Sequence, residues 1–325
     1  MIPKKLQKGD EVRVISPASS LKVIAPEQRE LAIKRLNKLG LNVTFSKNAE
    51  EMDDFMSSSI KSRIDDLHNA FKDKNVKGIL TTLGGYNCNQ LLKYIDYSLI
   101  KDNPKVLCGF SDITALSNAI YHKTGLVGYS GPHFSSLGML KGIDYTVENF
   151  EKCLMKENSF ELVPSSYWSD DLWFMDQQNR KFRESRGFKI VNTGEAEGVV
   201  VGGNLCTFNL LHGTEFMPDL TDKIIFIEDD YETNPQIFDR DLQSIIHQPN
   251  FDKVRGLIIG RFERRSRFTT DLLQKSIKSK KELKGIPIIA DVDISHTTPR
   301  ATMPIGGKVK MKADDNKAII EILDH

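Results

Sequence analysis

Three side chains of the kinds that carry acyl transfer stand in this 325-residue chain where a regular element gives way to a turn: Ser111, Glu228 and His296. Ser111 lies in the stretch KVLCGFSDITALSNAIYHKTGLVGYSGP, residues 105–132. The apolar run at 106–108 reads as a buried parallel strand, Gly109 breaks it, and Ile113, Leu116 and Ile120 then recur with helical spacing. A serine at that junction projects beyond the carboxyl edge of a sheet. The first free amides of the helix face the same space, where they can hold an oxyanion. The same serine can instead cap the helix together with Asp112. As a G-x-S-x-G elbow the stretch is incomplete, because Ile113 stands at the second glycine.

Glu228 follows the apolar run at 224–227, a position that holds a carboxylate against a core, although acidic residues at strand ends are also commonly solvated. His296 sits in a turn with Thr297, Thr298 and Pro299, and its imidazole suits general-base work near neutral pH. A serine nucleophile, an orienting carboxylate and a histidine base make a complete set in this chain order. The same order occurs in α/β-hydrolases, though it does not identify a fold. Metal binding is the alternative for Glu228, Asp229, Asp230 and Glu232, and for Asp291 and Asp293 with His296. Successive residues of a strand point to opposite faces, so the acidic run converges on one ion only through a tight loop.

The elements that must position these groups follow from periodicity. Strands are expected at 11–16, 41–45, 76–83 and 106–108, with helices at 28–39 and 59–73 between them. Such alternation predicts a parallel sheet with helices on both faces. The third strand ends in Leu83-Gly84-Gly85-Tyr86-Asn87. Paired glycines let a backbone amide approach a ligand closely, or simply make a tight turn. In a parallel sheet this turn and Ser111 share one rim. After a helix at 147–155, an irregular polar and aromatic segment at 157–187 holds both tryptophans, Trp168 and Trp173. A connection of that length is a functional loop or a linker, and its aromatics can pack between domains. Beyond 194 the chain is β-rich, with strands at 197–201, 224–227, 254–259 and 286–290. Gly202-Gly203-Asn204 is read as a turn, 205–211, 240–247 and 270–280 as helices, and 307–312 with 318–323 as a closing hairpin. The expected organisation is α/β: an N-terminal domain at 1–150 carrying Ser111, a connecting segment at 151–193, and a β-rich C-terminal domain at 194–325 carrying Glu228 and His296.

Lys and Arg number 45 against 44 Asp and Glu, and the formal charge of +1 provides no electrostatic footprint for nucleic acid or an anionic membrane. Cys88, Cys108, Cys153 and Cys206 are scattered without C-x-x-C spacing, so neither a zinc site nor a disulfide framework is expected. No apolar run approaches a membrane span and the first residues lack a signal-peptide pattern, so a cytoplasmic protein is expected.

The blocks GDEVRVISPAS, LTTLGGYN, NPKVLCGFSDITAL, TGLVGYSGP, VVGGNLCTFNLLHGT, IIFIEDD, GLIIGRF and DVDISHTTPRATMPIG occur in that order. With them the chain resembles the LD-carboxypeptidase serine peptidases over nearly its whole length, and within them the microcin C immunity branch. The resemblance implies Ser111 as nucleophile, Glu228 as orienting carboxylate, His296 as base, and the amides of Gly85 and Asp112 as oxyanion hole. It also implies a flavodoxin- or amidotransferase-like N-terminal parallel sheet, a smaller β-rich α/β C-terminal domain and a homodimer. Hydrolysis would need neither a metal nor another cofactor.

Two substrate classes follow from the resemblance. The segment YWSDDLW resembles the tryptophan-bearing loop of the immunity branch, where an aromatic ring can stack on a purine. It implies cleavage of an amide between an aminoacyl group and a nucleotide-like moiety, with Trp168 or Trp173 contacting the substrate. A murein tetrapeptide that loses its terminal D-alanine is the alternative. A protein that binds ligands in the cleft without catalysis is the reading from another class.

Overall fold

The computed structural model describes residues 1–314 and 317–325. Its first strand, Glu11–Ile15 (β1), buries Val12, Val14 and Ile15. Pro26–Lys38 (α1) follows, opening on a proline whose missing amide costs nothing at a helix start, and it turns Ala32 and Leu36 inward. The alternation continues through Asn42–Phe45 (β2), Ile60–Lys72 (α2), Val76–Thr81 (β3), Tyr97–Asp102 (α3), Val106–Cys108 (β4), Ile113–Thr124 (α4) and Gly128–Ser130 (β5). Every pairing among these strands is parallel, in the order β2-β1-β3-β4-β5. That is the flavodoxin-like doubly wound order, in which ligands bind outside the carboxyl ends of the strands where the order reverses. Here the reversal lies between β1 and β3.

Asp144–Met155 (α5) leads into the segment read as irregular, which contains Phe160–Glu161 (β6), Tyr167–Trp168 (β7), Arg183–Glu184 (β8) and Lys189–Asn192 (β9). The remaining elements are Gly194–Asn204 (β10), Leu205–Asn209 (α6), Lys223–Glu228 (β11), Pro235–Ile246 (α7), Gly256–Gly260 (β12), Thr270–Lys278 (α8), Ile288–Val292 (β13), Met303–Ile305 (β14), Lys308–Ala313 (β15) and Ala318–Asp324 (β16). An eight-stranded second sheet runs β6-β16-β15-β10-β11-β12-β13-β9. Its centre, β10 to β13, is parallel, and antiparallel strands flank it on both sides. The edges of this sheet come from the connecting segment, and β14 crosses back to pair antiparallel with β5 of the first sheet. No helix among the described residues is long and apolar enough to cross a membrane.

Gly202, Gly203 and Asn204 do not form the expected turn; β10 runs on through them. The glycines serve a close approach instead. A Cβ on Gly203 would stand 2.4 Å from Thr114 Oγ1, and one on Gly202 would stand 2.0 Å from the Phe226 carbonyl oxygen. Their φ values, +123° at Gly202 and +140° at Gly203, also favour glycine. The strand end therefore lies against α4. Asn118 of α4 donates to the Gly202 carbonyl at 2.8 Å and accepts its amide at 3.1 Å, while the Asn204 amide donates to Thr114 Oγ1 at 3.0 Å. Leu116 and Ala119 of the same helix share one core with Val201, Leu205 and Phe208. The helix that begins after Ser111 is thus the element that seats the second sheet against the first.

Candidate active site

Ser111 occupies the junction of β4 and α4 at φ +59°, a left-handed conformation that costs a residue with a side chain roughly 1–2 kcal/mol. Its hydroxyl donates to His296 Nε2 at 3.0 Å, and His296 Nδ1 donates to Glu228 Oε2 at 2.7 Å. Glu228 ends β11, is only 1% exposed, and stands in register with Asn204 of β10. The helix-capping alternative is not what forms, because no side chain caps the start of α4. Ser111 and Asp112 are both engaged elsewhere.

The turn bearing His296 is braced from two directions. Asp293 accepts the Ser165 amide at 2.8 Å, the Ser165 hydroxyl at 2.9 Å and Arg261 Nη2 at 3.0 Å. Thr298 and Ser169 exchange backbone hydrogen bonds at 2.7 and 2.8 Å. The connecting segment thereby holds the histidine loop. Phe110 meets the His296 ring edge-on with centroids 5.0 Å apart, stacks on His133 at 4.3 Å, and carries the Arg300 guanidinium 3.5 Å above its ring.

Burial works to raise the Glu228 pKa, but His296, then Arg300 and Asn204, outweigh it and hold the carboxyl below its ordinary value. Burial likewise works to lower the His296 pKa. The Glu228 carboxylate and its hydrogen bond, helped by Asp230, outweigh burial and the opposing Arg300, so the imidazole is held above its ordinary value. Burial lowers Arg300 to about 10 and drives His133 well below the normal histidine range. The pair Glu228 and His296 is therefore arranged to stabilise an imidazolium once the ring accepts a proton.

Asp112 turns its carboxylate away from its own helix and accepts the amides of Asn87 at 3.0 Å and Cys88 at 2.8 Å. It thereby fastens the Gly84-Gly85 turn to the serine junction. A Cβ on Gly84 would stand 2.8 Å from Ser111 Cβ, so glycine is what allows this contact. The Gly84 carbonyl accepts the Ser19 amide at 3.1 Å, which directs the Gly85 N–H to the opposite side of the trans peptide. Among the described residues the amides of Gly85 and Asp112 donate to no other group.

A cavity of about 180 Å³ is lined by His296 together with Phe110, Tyr231, Glu263 and Trp173. Trp168 lies elsewhere, under the Arg261 guanidinium at 5.1 Å and lining a separate cavity of about 520 Å³. The loop carrying Trp173 is tied down by bonds from Arg264 to Asp170 and from Arg180 to Asp171. The acidic residues considered for metal binding are dispersed: Glu232 accepts the Tyr86 hydroxyl at 2.6 Å, Asp291 pairs with Lys189 at 2.8 Å and Asp293 with Arg261. Phe110, Arg300, His133 and Glu263 were not singled out from sequence. Phe110 offered a signal as the residue between Gly109 and Ser111, and Glu263 as a carboxylate just past a strand; Arg300 and His133 offered none.

Comparison with known proteins agrees with this architecture. Residues 12–131 match the LD-carboxypeptidase N-terminal domain and residues 197–311 the LD-carboxypeptidase C-terminal domain. The protein YocD of Bacillus subtilis is 53% identical over 325 residues, covering 100% of both chains. The microcin C7 self-immunity protein MccF of Escherichia coli is 32% identical over 98% of this chain and 95% of its own. The crystal structure of an MccF-like protein from Bacillus anthracis superimposes with a TM-score of 0.99 at 55% identity, with full coverage of both chains (100% each). MccF in complex with aspartyl sulfamoyl adenosine superimposes with a TM-score of 0.90 at 29% identity, covering 100% of this chain and 99% of its own. Matched in both halves and along its full length, the chain belongs to the LD-carboxypeptidase family.

Proposed function

We propose that this protein is a serine amide hydrolase acting through an acyl-enzyme, and that its substrate is an amide joining an aminoacyl group to a nucleotide-like moiety. The observation that carries the reading is the unbroken hydrogen-bond line from the Ser111 hydroxyl through His296 to Glu228. His296 takes the Ser111 proton as the oxygen attacks the carbonyl carbon. The amides of Gly85 and Asp112 receive the oxyanion, and His296 then delivers its proton to the leaving nitrogen. Water, deprotonated by the same imidazole, attacks the acyl-enzyme and frees the acid and Ser111. Glu228 keeps Nδ1 protonated throughout and stabilises the imidazolium.

The nucleotide-like leaving group is supported by Trp173 lining the cavity beside His296 and by the likeness to MccF, a structure of which holds aspartyl sulfamoyl adenosine. The family itself favours a second reading, removal of a terminal D-alanine from a murein tetrapeptide. Parallel hydrolysis of both compounds by the wild type and Ser111→Ala, with the released amine followed by mass spectrometry, separates them. Serine-dependent cleavage of the sulfamoyl adenosine alone supports the first reading and cleavage of the murein peptide the second. Cleavage of neither would leave a binding protein. A homodimer acting in the cytoplasm completes the proposal, and light scattering tests its assembly.

A further inference from the structure

We infer that Arg63 is a positioning residue for the proposed oxyanion hole: its guanidinium ties together the two turns between which the Gly85 amide is held. The inference deepens the amide-hydrolase reading and rests on it. Arg63 lies in α2, is only 3% exposed, and reaches the turns that leave β1 and β3. Its Nη1 donates to the Pro17 carbonyl at 3.2 Å and to the Asn87 carbonyl and side-chain oxygens at 3.1 and 3.0 Å, and its Nη2 donates to Gln90 Oε1 at 2.7 Å. Pro17 follows β1 and Asn87 follows β3, the strands between which the order of the sheet reverses. One planar fork therefore spans the switch point of the first sheet.

Both turns bear on Gly85. The turn at Pro17 continues to Ser19, whose amide donates to the Gly84 carbonyl at 3.1 Å and whose carbonyl accepts the Thr82 hydroxyl at 2.8 Å. The first of these bonds orients the peptide plane that carries the Gly85 N–H. On the other side, Asn87 is gripped at both poles of its backbone: its amide donates to Asp112 and its carbonyl accepts from Arg63. Ser57 joins the same pair of turns, donating to the Ala18 carbonyl at 2.6 Å and to Asn87 Oδ1 at 3.4 Å. Burial pushes the Asp112 carboxyl up, and the amides of Cys88 and Asn87 and then Arg63 work against it. Arg63 thus supports the second anchor of the turn as well as gripping the turn itself.

Geometry rather than charge carries this role. The acceptors of Pro17, Asn87 and Gln90 surround two nitrogens fixed in one plane, whereas a lysine ammonium is a single point on a flexible stem. Arg63→Lys therefore keeps the charge and loses the span. Among the described residues Arg63 bonds to none of Ser111, Glu228 and His296, and it does not line the cavity beside His296. Its effect should fall on the step in which the oxyanion forms and spare ground-state binding.

Arg63→Lys should lower kcat for aspartyl sulfamoyl adenosine roughly 10- to 100-fold, the scale of a displacement of about 1 Å caused from outside the reacting groups, and leave KM within about threefold. Labelling by a serine-reactive phosphonate, run to completion, counts the folded enzyme, so a misfolded fraction does not pass for a slow one. Combined with Asp112→Ala, the substitution should fall short of the product of the two single losses by at least about fivefold, because both release the same peptide unit. Hydrogen exchange at residues 83–90 should quicken by about tenfold or more in Arg63→Lys, while residues 76–81 of β3 keep wild-type rates. An unchanged kcat, a loss confined to KM, multiplicative losses or unchanged exchange at 83–90 overturns the inference. A wild type without serine-dependent turnover overturns the amide-hydrolase reading and this role with it, and the exchange rates separate that failure of the chemistry from a failure of the lock.

Discussion

The carboxylate of Asp112, the residue after Ser111, accepts the backbone amide of Cys88 at 2.8 Å. Through this bond the start of α4 controls where the Gly84-Gly85 turn sits, and with it one proposed oxyanion donor. Asp112→Ala should lower kcat by about 10²–10³, the usual loss when one such donor is misplaced, with little change in KM. Asp112→Asn keeps one acceptor oxygen and should recover part of the loss. Steady-state kinetics on aspartyl sulfamoyl adenosine provide the check, and an unchanged kcat in Asp112→Ala would show that the turn holds itself.

Ser111 holds a left-handed backbone at φ +59°. Replacing it should remove activity by about 10⁴-fold or more whichever residue is used. Stability should nevertheless separate two inactive variants. Ser111→Gly relieves the backbone strain and Ser111→Ala keeps it, so the glycine variant should be the more stable by about 1 kcal/mol in urea unfolding. Equal midpoints would contradict a strained junction.

As the proposed base, His296 must be neutral to accept the serine proton. Glu228 and Asp230 hold its pKa above the ordinary 6.5 against burial and Arg300, so kcat/KM should rise with pH through a midpoint above that value. In Glu228→Gln the midpoint should move to lower pH and the plateau rate fall by about 10⁴. Stability follows the same pair. The raised His296 contributes below its unfolded pKa and is lost as pH rises through its folded value; the depressed Glu228 contributes above its unfolded pKa and is lost as pH falls through its folded value. The pair thus stabilises most between the ordinary values of 4.5 and 6.5. Urea unfolding at either side of that window should show a loss that Glu228→Gln abolishes.

Trp168 and Trp173 are five positions apart in sequence yet face different cavities. Trp173→Ala should raise KM for the nucleotide substrate roughly 5- to 150-fold, the range of one aromatic stack. Trp168→Ala should leave KM in place and cost about 0.5–2 kcal/mol of stability through the lost Arg261 contact. Matching effects of the two substitutions on KM would refute the separation.

Much of the scaffold was legible because it is local. The run at 106–108, the break at Gly109 and the spacing of Ile113, Leu116 and Ile120 mark a strand, a turn and a helix, and those elements form. The glycines at 202 and 203 misled because paired glycines signal a turn, whereas their use here is the approach of Thr114, a residue far back in the chain. Capping by Ser111 with Asp112 stays open in the sequence for the same reason: the partners of the Asp112 carboxylate, Asn87 and Cys88, lie in another loop.

The sequence by itself determined which residue types stand at the ends of strands: Ser111, Glu228 and His296 each follow or end an apolar run that must be buried. Only the tertiary structure decided that Ser111 and His296, 185 residues apart, come within 3.0 Å. Hydrophobic periodicity acts over a few residues and sets the elements, but their mutual placement depends on how α4 packs against the end of β10. The same packing decides which carboxylate meets the imidazole and which, at Glu263, is left without a partner among the described residues. Whether a polar group is satisfied is a property of every neighbour the fold brings to it, and no stretch of sequence contains all of them.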